Sequence, residues 1–232
     1  MAKTLKRMAA ILILVMMLVA LVSCGGGNVE SESESQKESE SSKPVSGEIE
    51  DESKSDSEND KYSKGLKFAS NGDGTCTLSG IGTCTDAYVA IPPTSPNGEL
   101  VTNIGDSAFS DAQNVKYILL PSSVDTIGKA AFGNCPSLQE IEVATGNRNF
   151  HSDNGVLYSG DLSTIYAYPA ARSDSSVVIP VSVTEIKDMA FYGCKDLKTI
   201  KFAGTSSDWK KIKIGEKNYG IDSATVEFSK GK

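Results

Sequence analysis

One pattern is written twice between Ile104 and Ile141. Ile104-Gly105-x-x-Ala108-Phe109 leads into Val115-x-x-Ile118-x-Leu120-Pro121, and Ile127-Gly128-x-x-Ala131-Phe132 leads into Leu138-x-x-Ile141-x-Val143. Ile104 and Ile127, Phe109 and Phe132, Ala112 and Cys135, Val115 and Leu138, and Ile118 and Ile141 are each 23 residues apart. The repeated positions are apolar or small, so the period marks a structural unit that cannot bury its own apolar side and must stack on a neighbour. Within a unit, Val115, Ile118 and Leu120 are expected to point inward from a short strand that Pro121 ends. Ile104 and Phe109 pack the opposite wall, and Gly105 and Gly128 sit where the chain turns.

A period in the twenties with this apolar spacing predicts a β-rich leucine-rich-repeat solenoid. The pattern weakens after Val143 and returns as Ile179-Pro180, Val183, Ile186, Ala190-Phe191, Cys194, Leu197 and Ile200. Phe132 to Phe191 is 59 residues, which is 23 plus 36, so one unit is stretched by 13. The extra sequence, near residues 144–176, has two β-rich runs about Gly160-Asp161 and reads as a hairpin built into the solenoid. The step from Pro92 to Ile104 is 12 residues, whereas Pro121 to Ile127 is six, so the first unit carries a six-residue loop insertion.

The ends of the chain have other compositions. Lys3, Lys6 and Arg7 precede an apolar run from Met8 to Val22, too short to span a bilayer and arranged as an export signal. Its ending, Leu21-Val22-Ser23-Cys24, resembles the lipobox of bacterial lipoproteins, which implies cleavage before Cys24 and acylation of its thiol. Residues 25–60 hold 12 acidic residues and three lysines, a charge of −9, with almost nothing apolar. Such a segment cannot bury enough surface to offset its ordering entropy and reads as a disordered tether. Removing the leader's three cations takes the chain from −7 to −10, and removing the tether's −9 leaves −1 for residues 61–232. The acidity therefore belongs to the tether and carries no message about the folded part.

The expected layout is a signal peptide at 1–23, a tether at 24–61, an N-terminal β-hairpin cap at 62–99, repeats at 100–203 and a C-terminal cap at 204–232. In the first cap, Cys76 and Cys84 lie symmetrically about Gly80. A hairpin turning there would bring them within disulfide reach, and an exported location permits oxidation. Asn71-Gly72-Asp73-Gly74 reads as turn chemistry rather than a calcium loop, because the closing bidentate acid is missing. Cys135 and Cys194 share the position held by Ala112 and read as free, buried thiols. At the other end, where the repeat is dropped, Trp209 with Ile212, Ile214, Val226 and Phe228 would close the core, with a ligand-stacking role for Trp209 as the alternative.

The run Leu120-Pro121-x-x-Val124-x-x-Ile127-Gly128-x-x-Ala131-Phe132-x-x-Cys135-x-x-Leu138-x-x-Ile141 resembles the BspA-type leucine-rich repeats of bacterial surface proteins, over roughly residues 70–228. The resemblance implies an exported binding or display protein, and some members are adhesins. It transfers no catalytic residue, and this chain has few repeats for such a family.

No cofactor, metal site or nucleic-acid patch is expected, and an enzyme is not: the sole histidine, His151, reads as a loop residue beside Ser152 and Asp153, with no nucleophile elbow near it. A binding surface would lie on the strand residues that alternate with the inward ones: Tyr117 and Leu119, Glu140 and Glu142, Thr199 and Lys201. The insert's Tyr158, Tyr166 and Tyr168 are an equal candidate, since tyrosine is enriched at interfaces, with core packing as the other reading. The expected protein is a monomer held at the bacterial cell membrane, on the extracytoplasmic surface, by lipid on Cys24, with a protein or glycan ligand and no small-molecule substrate. The competing expectation is a structural envelope component bound to a partner of its own cell.

Overall fold

A computed structural model describes residues 61–229. Cys24, the leader and most of the tether lie outside the described residues. The strands run β1 (Lys67–Ser70), β2 (Thr75–Gly80), β3 (Tyr88–Ala90), β4 (Leu100–Ile104), β5 (Tyr117–Leu120), β6 (Thr126–Ile127), β7 (Glu140–Val143), β8 (Phe150–Asp153), β9 (Val156–Ser159), β10 (Thr164–Ala167), β11 (Ser176–Ile179), β12 (Glu185–Ile186) and β13 (Thr199–Phe202). Helix α1 (Ser206–Trp209), β14 (Lys213–Ile214), α2 (Tyr219–Asp222) and β15 (Thr225–Phe228) complete it.

These strands stack as a β-solenoid of about six turns. One wall is built from β3-β5-β7 and β11-β13-β15, the other from β1-β2-β4-β6 and β14-β12-β10-β9-β8. The period becomes register: Tyr117 pairs with Glu140 and Ile118 with Ile141 in parallel β5 and β7, while Ile104 pairs with Ile127 in β4 and β6. Each pair is one repeat apart, so identical side chains stack at the spacing of neighbouring strands. Ile118, Leu120, Ile141, Phe109 and Ile104 are essentially without solvent contact.

Two left-handed residues recur in the turns. Ser107, Ala130 and Met189 hold one equivalent position and Asp111 and Asn134 a second, all with φ between 51° and 63°. Hydrogen bonds between turns impose this backbone: Ser107 N donates to Lys129 O at 2.9 Å and Met189 N to Glu216 O at 2.8 Å. The left-handed conformation costs a side-chain-bearing residue about 1–2 kcal/mol, partly offset by glycine's larger chain entropy. Ala130→Gly is therefore expected to stabilise the fold by about 0.5–1 kcal/mol, read as a raised thermal midpoint.

The repeat glycines serve a different purpose from the turning role expected of them. A Cβ on Gly128 would lie 2.5 Å from Asp106 N and 2.8 Å from Gly105 C, and one on Gly215 would meet Asp188 N and Lys187 C at the same two distances. Adjacent turns approach too closely there for any side chain. The approach is fixed by Asp106 Oδ1, which accepts from Lys129 N at 2.7 Å, and by Asp188 Oδ1, which accepts from Glu216 N at 2.8 Å. Lys187 occupies the equivalent place where the preceding turn is the irregular insert, and its Nζ sits 5.7 Å from the centre of the Tyr166 ring.

The insert is an antiparallel meander, β8-β9-β10, whose third strand rejoins the solenoid by pairing parallel to β12. It bears out the hairpin about Gly160-Asp161 and adds a second one about Asn154-Gly155. Its central strand β9 is buried on both faces, whereas β8 exposes His151 and Asp153. Phe150, Leu157 and Ala167 join the core that begins at Leu66, whereas Val156, Tyr158, Ile165 and Tyr168 join the core that runs on to Ile221. The meander is thus a septum between two apolar cores.

Three expectations are corrected. Cys76 and Cys84 are free thiols. The hairpin turns at Asn71–Gly74 and places Cys76 opposite Ser70, and both edges of β2 are taken, by β1 and by β4. No strand position beside β2 remains for Cys84, whose amide instead closes a tight turn onto Ile81 O at 3.1 Å. Residues 205–228 do not drop the repeat but supply another turn, with β14 parallel to β12 and β15 parallel to β13. Trp209 packs edge-on against Phe202 at 5.3 Å, while Ile214 is 41% exposed and lies outside the core.

Cys135 and Cys194 are free and buried, as expected. Burial pushes each thiol up to about 12. A raised folded value means that their stabilising effect is complete below the unfolded thiol value of about 8.5 and is lost as pH rises through 12. Thiol titration of unreduced, denatured protein should count four thiols from residues 61–232, and two would restore the disulfide. Without denaturant, Cys135 and Cys194 should resist labelling, and the thermal midpoint should fall above about pH 8.5 less steeply in Cys135→Ala/Cys194→Ala.

Candidate functional site

The outward side of β3-β5-β7 gathers four of the nominated residues. Period-two alternation puts Val89, Ile118 and Ile141 in the core and leaves two rows on the other side: Tyr88, Tyr117 and Glu140 in one, Ala90, Leu119 and Glu142 in the other, with Ala90 buried under Ser63, whose N–H donates to Ala90 O at 2.9 Å. The Tyr88 and Tyr117 rings lie 6.3 Å apart at a 35° tilt, and Tyr88 is 49% exposed. Tyr117 donates its phenol proton to Gln139 Oε1 at 2.8 Å, which fixes the ring on the face.

The face carries two carboxylates with a cation near one of them: a Cβ on Gly155 would meet both Glu140 Cγ, at 2.8 Å, and an Arg172 guanidinium nitrogen, at 3.0 Å. Glu140 and Glu142 project from the same side of β7, and among the described residues neither forms a salt bridge. Partial burial raises the Glu142 carboxyl, and the neighbouring Glu140 charge raises it further. The Tyr88 phenol is likewise raised by burial first, then by Glu142 and Glu140.

The remaining nominated residues fall elsewhere. Thr199 and Lys201 lie on β11-β13-β15, in register with Ser176 and Thr225 and with Val178 and Glu227 respectively. That sheet places Lys201 next to Glu227, so its charges balance. Tyr158 and Tyr168 are core residues, 2% and 4% exposed, and are withdrawn as surface candidates. Burial pushes the Tyr158 phenol up to about 12. Tyr168 stacks on Phe191 at 5.1 Å, as Phe109 stacks on Phe132 at 5.5 Å, and so fills the phenylalanine position of the stretched unit. Tyr166 is half-buried and meets Phe150 edge-on at 5.1 Å.

Tyr88 was missed. It precedes Tyr117 by 29 residues, which is the 23-residue period plus the six-residue loop insertion, so the spacing alone could have placed it.

Other concavities have different chemistry. An open cleft of about 670 Å³ between residues 62–68 and 92–98 is lined by Tyr62, Phe68, Pro92, Pro93 and Pro96 among others. It includes none of the nominated residues. Among the described residues no group of three or more His, Cys, Asp or Glu side chains is placed to hold a metal, and no helix is long and apolar enough to cross a membrane. His151 is exposed on β8, across from Tyr158.

The solenoid has counterparts of known structure. The pneumococcal vaccine antigen PcpA is 28% identical with a TM-score of 0.50, over 57% of this chain and 32% of that one. A leucine-rich cell surface protein of Faecalibacterium prausnitzii is 24% identical with a TM-score of 0.43, over 64% and 40%. The T. pallidum leucine-rich-repeat protein TpLRR is 21% identical with a TM-score of 0.40, over 71% and 83%. The chain thus spans about a third of the pneumococcal antigen and two fifths of the Faecalibacterium protein. No curated protein sequence matches it. The family model described as the BspA type leucine-rich repeat region matches in six copies over residues 94–166 and 164–215, on the same turns that the 23-residue period marks. The chain belongs to the BspA-type leucine-rich-repeat proteins.

Proposed function

We propose that the protein is a non-catalytic binding module at the surface of a bacterial cell, carried on a lipid at Cys24 and an acidic tether. The observation that carries this reading is the outward face of β3-β5-β7. Its exposed aromatic ring and two carboxylates outside any salt bridge stand on rigid strands rather than on a loop. Exposed tyrosines supply large contact areas at low entropic cost, and they recur among the residues that dominate binding energy. Membership of a family of surface proteins, and likeness to a protein described as a vaccine antigen, support display outside the cell. The lipobox-like Leu21-Val22-Ser23-Cys24 supports the anchor.

Brief proteinase treatment of intact cells tests the display. Release of the folded domain, with cleavage in the tether, is the expected result, and full protection of the domain would contradict it. Cys24→Ala should abolish incorporation of labelled palmitate into the protein, and labelling that persists in the variant would contradict the anchor.

A further inference from the structure

The wall opposite β3-β5-β7 is two sheets and not one. β6 ends the first of them, because the next unit is the stretched one and its β10 pairs with β9 and β12 instead. The break leaves a concavity of about 290 Å³. That is near the lower bound of about 300 Å³ for ligand pockets, room for a small group rather than a folded partner. Tyr166, Ile127 and Ile186 line its apolar part, and Gly128 and Gly215 bring backbone without side chains to it. Tyr166 is held edge-on against Phe150 at 5.1 Å and carries Lys187 Nζ 5.7 Å from its ring centre, so a ring and a cation are presented together.

The charged lining is Lys129, Lys187 and Lys213 with Glu185 and Asp188, a surplus of one positive charge. Glu185 bridges Lys187 at 2.9 Å and Lys213 at 3.0 Å, and hydrogen bonds from these two lysines lower its carboxyl. Asp188 Oδ1 is committed to Glu216 N at 2.8 Å. An ammonium has three N–H donors and Glu185 occupies one on each lysine, so both keep donors for an incoming acceptor. Lys129 stands at the motif position that Asp106 and Asp188 fill, where those carboxylates bind the next turn. No regular turn follows Lys129; it is exposed and, among the described residues, forms no salt bridge.

We infer that this break binds a carboxylate-bearing sugar of an acidic glycan, its ring on Tyr166, Ile127 and Ile186 and its carboxylate among Lys129, Lys187 and Lys213. The site lies on the other wall from β3-β5-β7 and stands independently of that face. One carboxylate cancels the surplus of one charge, whereas a phosphate monoester brings nearly two negative charges and exceeds it. A ring covers the apolar lining, which an acidic side chain of a peptide leaves wet. Few polar groups set into an apolar lining fix orientation in such sites.

The test uses the full chain and two labelled acids, a hyaluronan tetrasaccharide and the N-acetylglucosaminyl-N-acetylmuramic acid disaccharide, each beside its neutral methyl ester. Every variant keeps the acidic residues 25–60, so any competition from them is common to all. Wild type should bind at least one acid saturably, and the tighter of the two separates an animal glycan from a cell-wall glycan as the source. Lys129→Gln/Lys213→Gln should weaken that binding about fivefold at low salt. Lys201→Gln on the other wall should leave it unchanged. Thermal midpoints should match across the set, since all three lysines are exposed. The methyl ester should bind at least fivefold more weakly than its acid and ignore both substitutions. Binding of neither acid, equal binding by Lys129→Gln/Lys213→Gln and wild type, or equal binding of ester and acid overturns the inference. A Ser-Glu repeat peptide that displaces the sugar at equal carboxylate concentration shows a site for charge alone and overturns it too. None of these outcomes bears on the β3-β5-β7 face.

Discussion

Phe191→Ala is expected to lower the unfolding free energy by about 3–5 kcal/mol, the range for removing a large aromatic side chain from a core. Phe191 has no solvent-exposed area, and its ring stacks on Tyr168 at 5.1 Å and 12°. Its partner Tyr168 directly follows β10 and shares one core with Phe191, so the vacancy opens inside that core and not at a free end. Its backbone is equally committed: Phe191 N donates to Asn218 Oδ1 at 2.8 Å, and Asn218 Nδ2 in turn donates to Lys187 O and Gly215 O. These bonds hold the turns together and limit collapse around the cavity, which places the loss toward the upper end of that range. Denaturant titration with linear extrapolation measures it, and a change below about 1 kcal/mol would contradict the packing described.

Gly128→Val should cost about 3 kcal/mol, at the upper end of the overpacking range, without removing a single contact. The atoms in its way, Asp106 N and Gly105 C, are backbone and cannot rotate aside. Relief requires the turns beginning at Gly105 and Gly128 to separate, which stretches the Asp106 Oδ1 bond to Lys129 N. Gly105→Ala meets Leu78 O at 3.2 Å and should be milder. Thermal midpoints should therefore fall in the order wild type, Gly105→Ala, Gly128→Ala, Gly128→Val. A Gly128→Ala midpoint equal to wild type would show that the turns are farther apart than described.

The period was legible because it is core. Residues one repeat apart meet in register, so five coincident spacings were in effect a contact map of β4 to β7. Legibility failed where a position kept its structural role while its residue changed. Tyr168 stands 23 residues before Phe191 and takes the same stacking place, but its hydroxyl made it look like a surface residue. Ile214-Gly215-x-x-Asn218-Tyr219 repeats Ile-Gly-x-x-Ala-Phe closely enough to form a turn, with asparagine in place of alanine because its side chain bonds three backbone groups. The disulfide failed for another reason. Symmetry about Gly80 considered only one turn, whereas Asn71–Gly74 offered a competing one, and parallel pairing with β4 took the remaining edge of β2. Of the outward side of β5 and β7, Tyr117, Leu119, Glu140 and Glu142 followed from alternation, while the approach of Arg172 to Glu140 needed the fold of the insert.

The septum alters what kind of repeat protein this is. An ordinary solenoid behaves like a stack of coins, and units can be added or removed because each touches only its neighbours. Here the β8-β10 meander is shared masonry: Leu157 belongs to one room and Tyr158, the next residue, to the other. Excising residues 144–176 would not shorten the stack by a unit but would strip both rooms of a wall. The number of turns is free to vary on either side of this joint, and the joint itself is not.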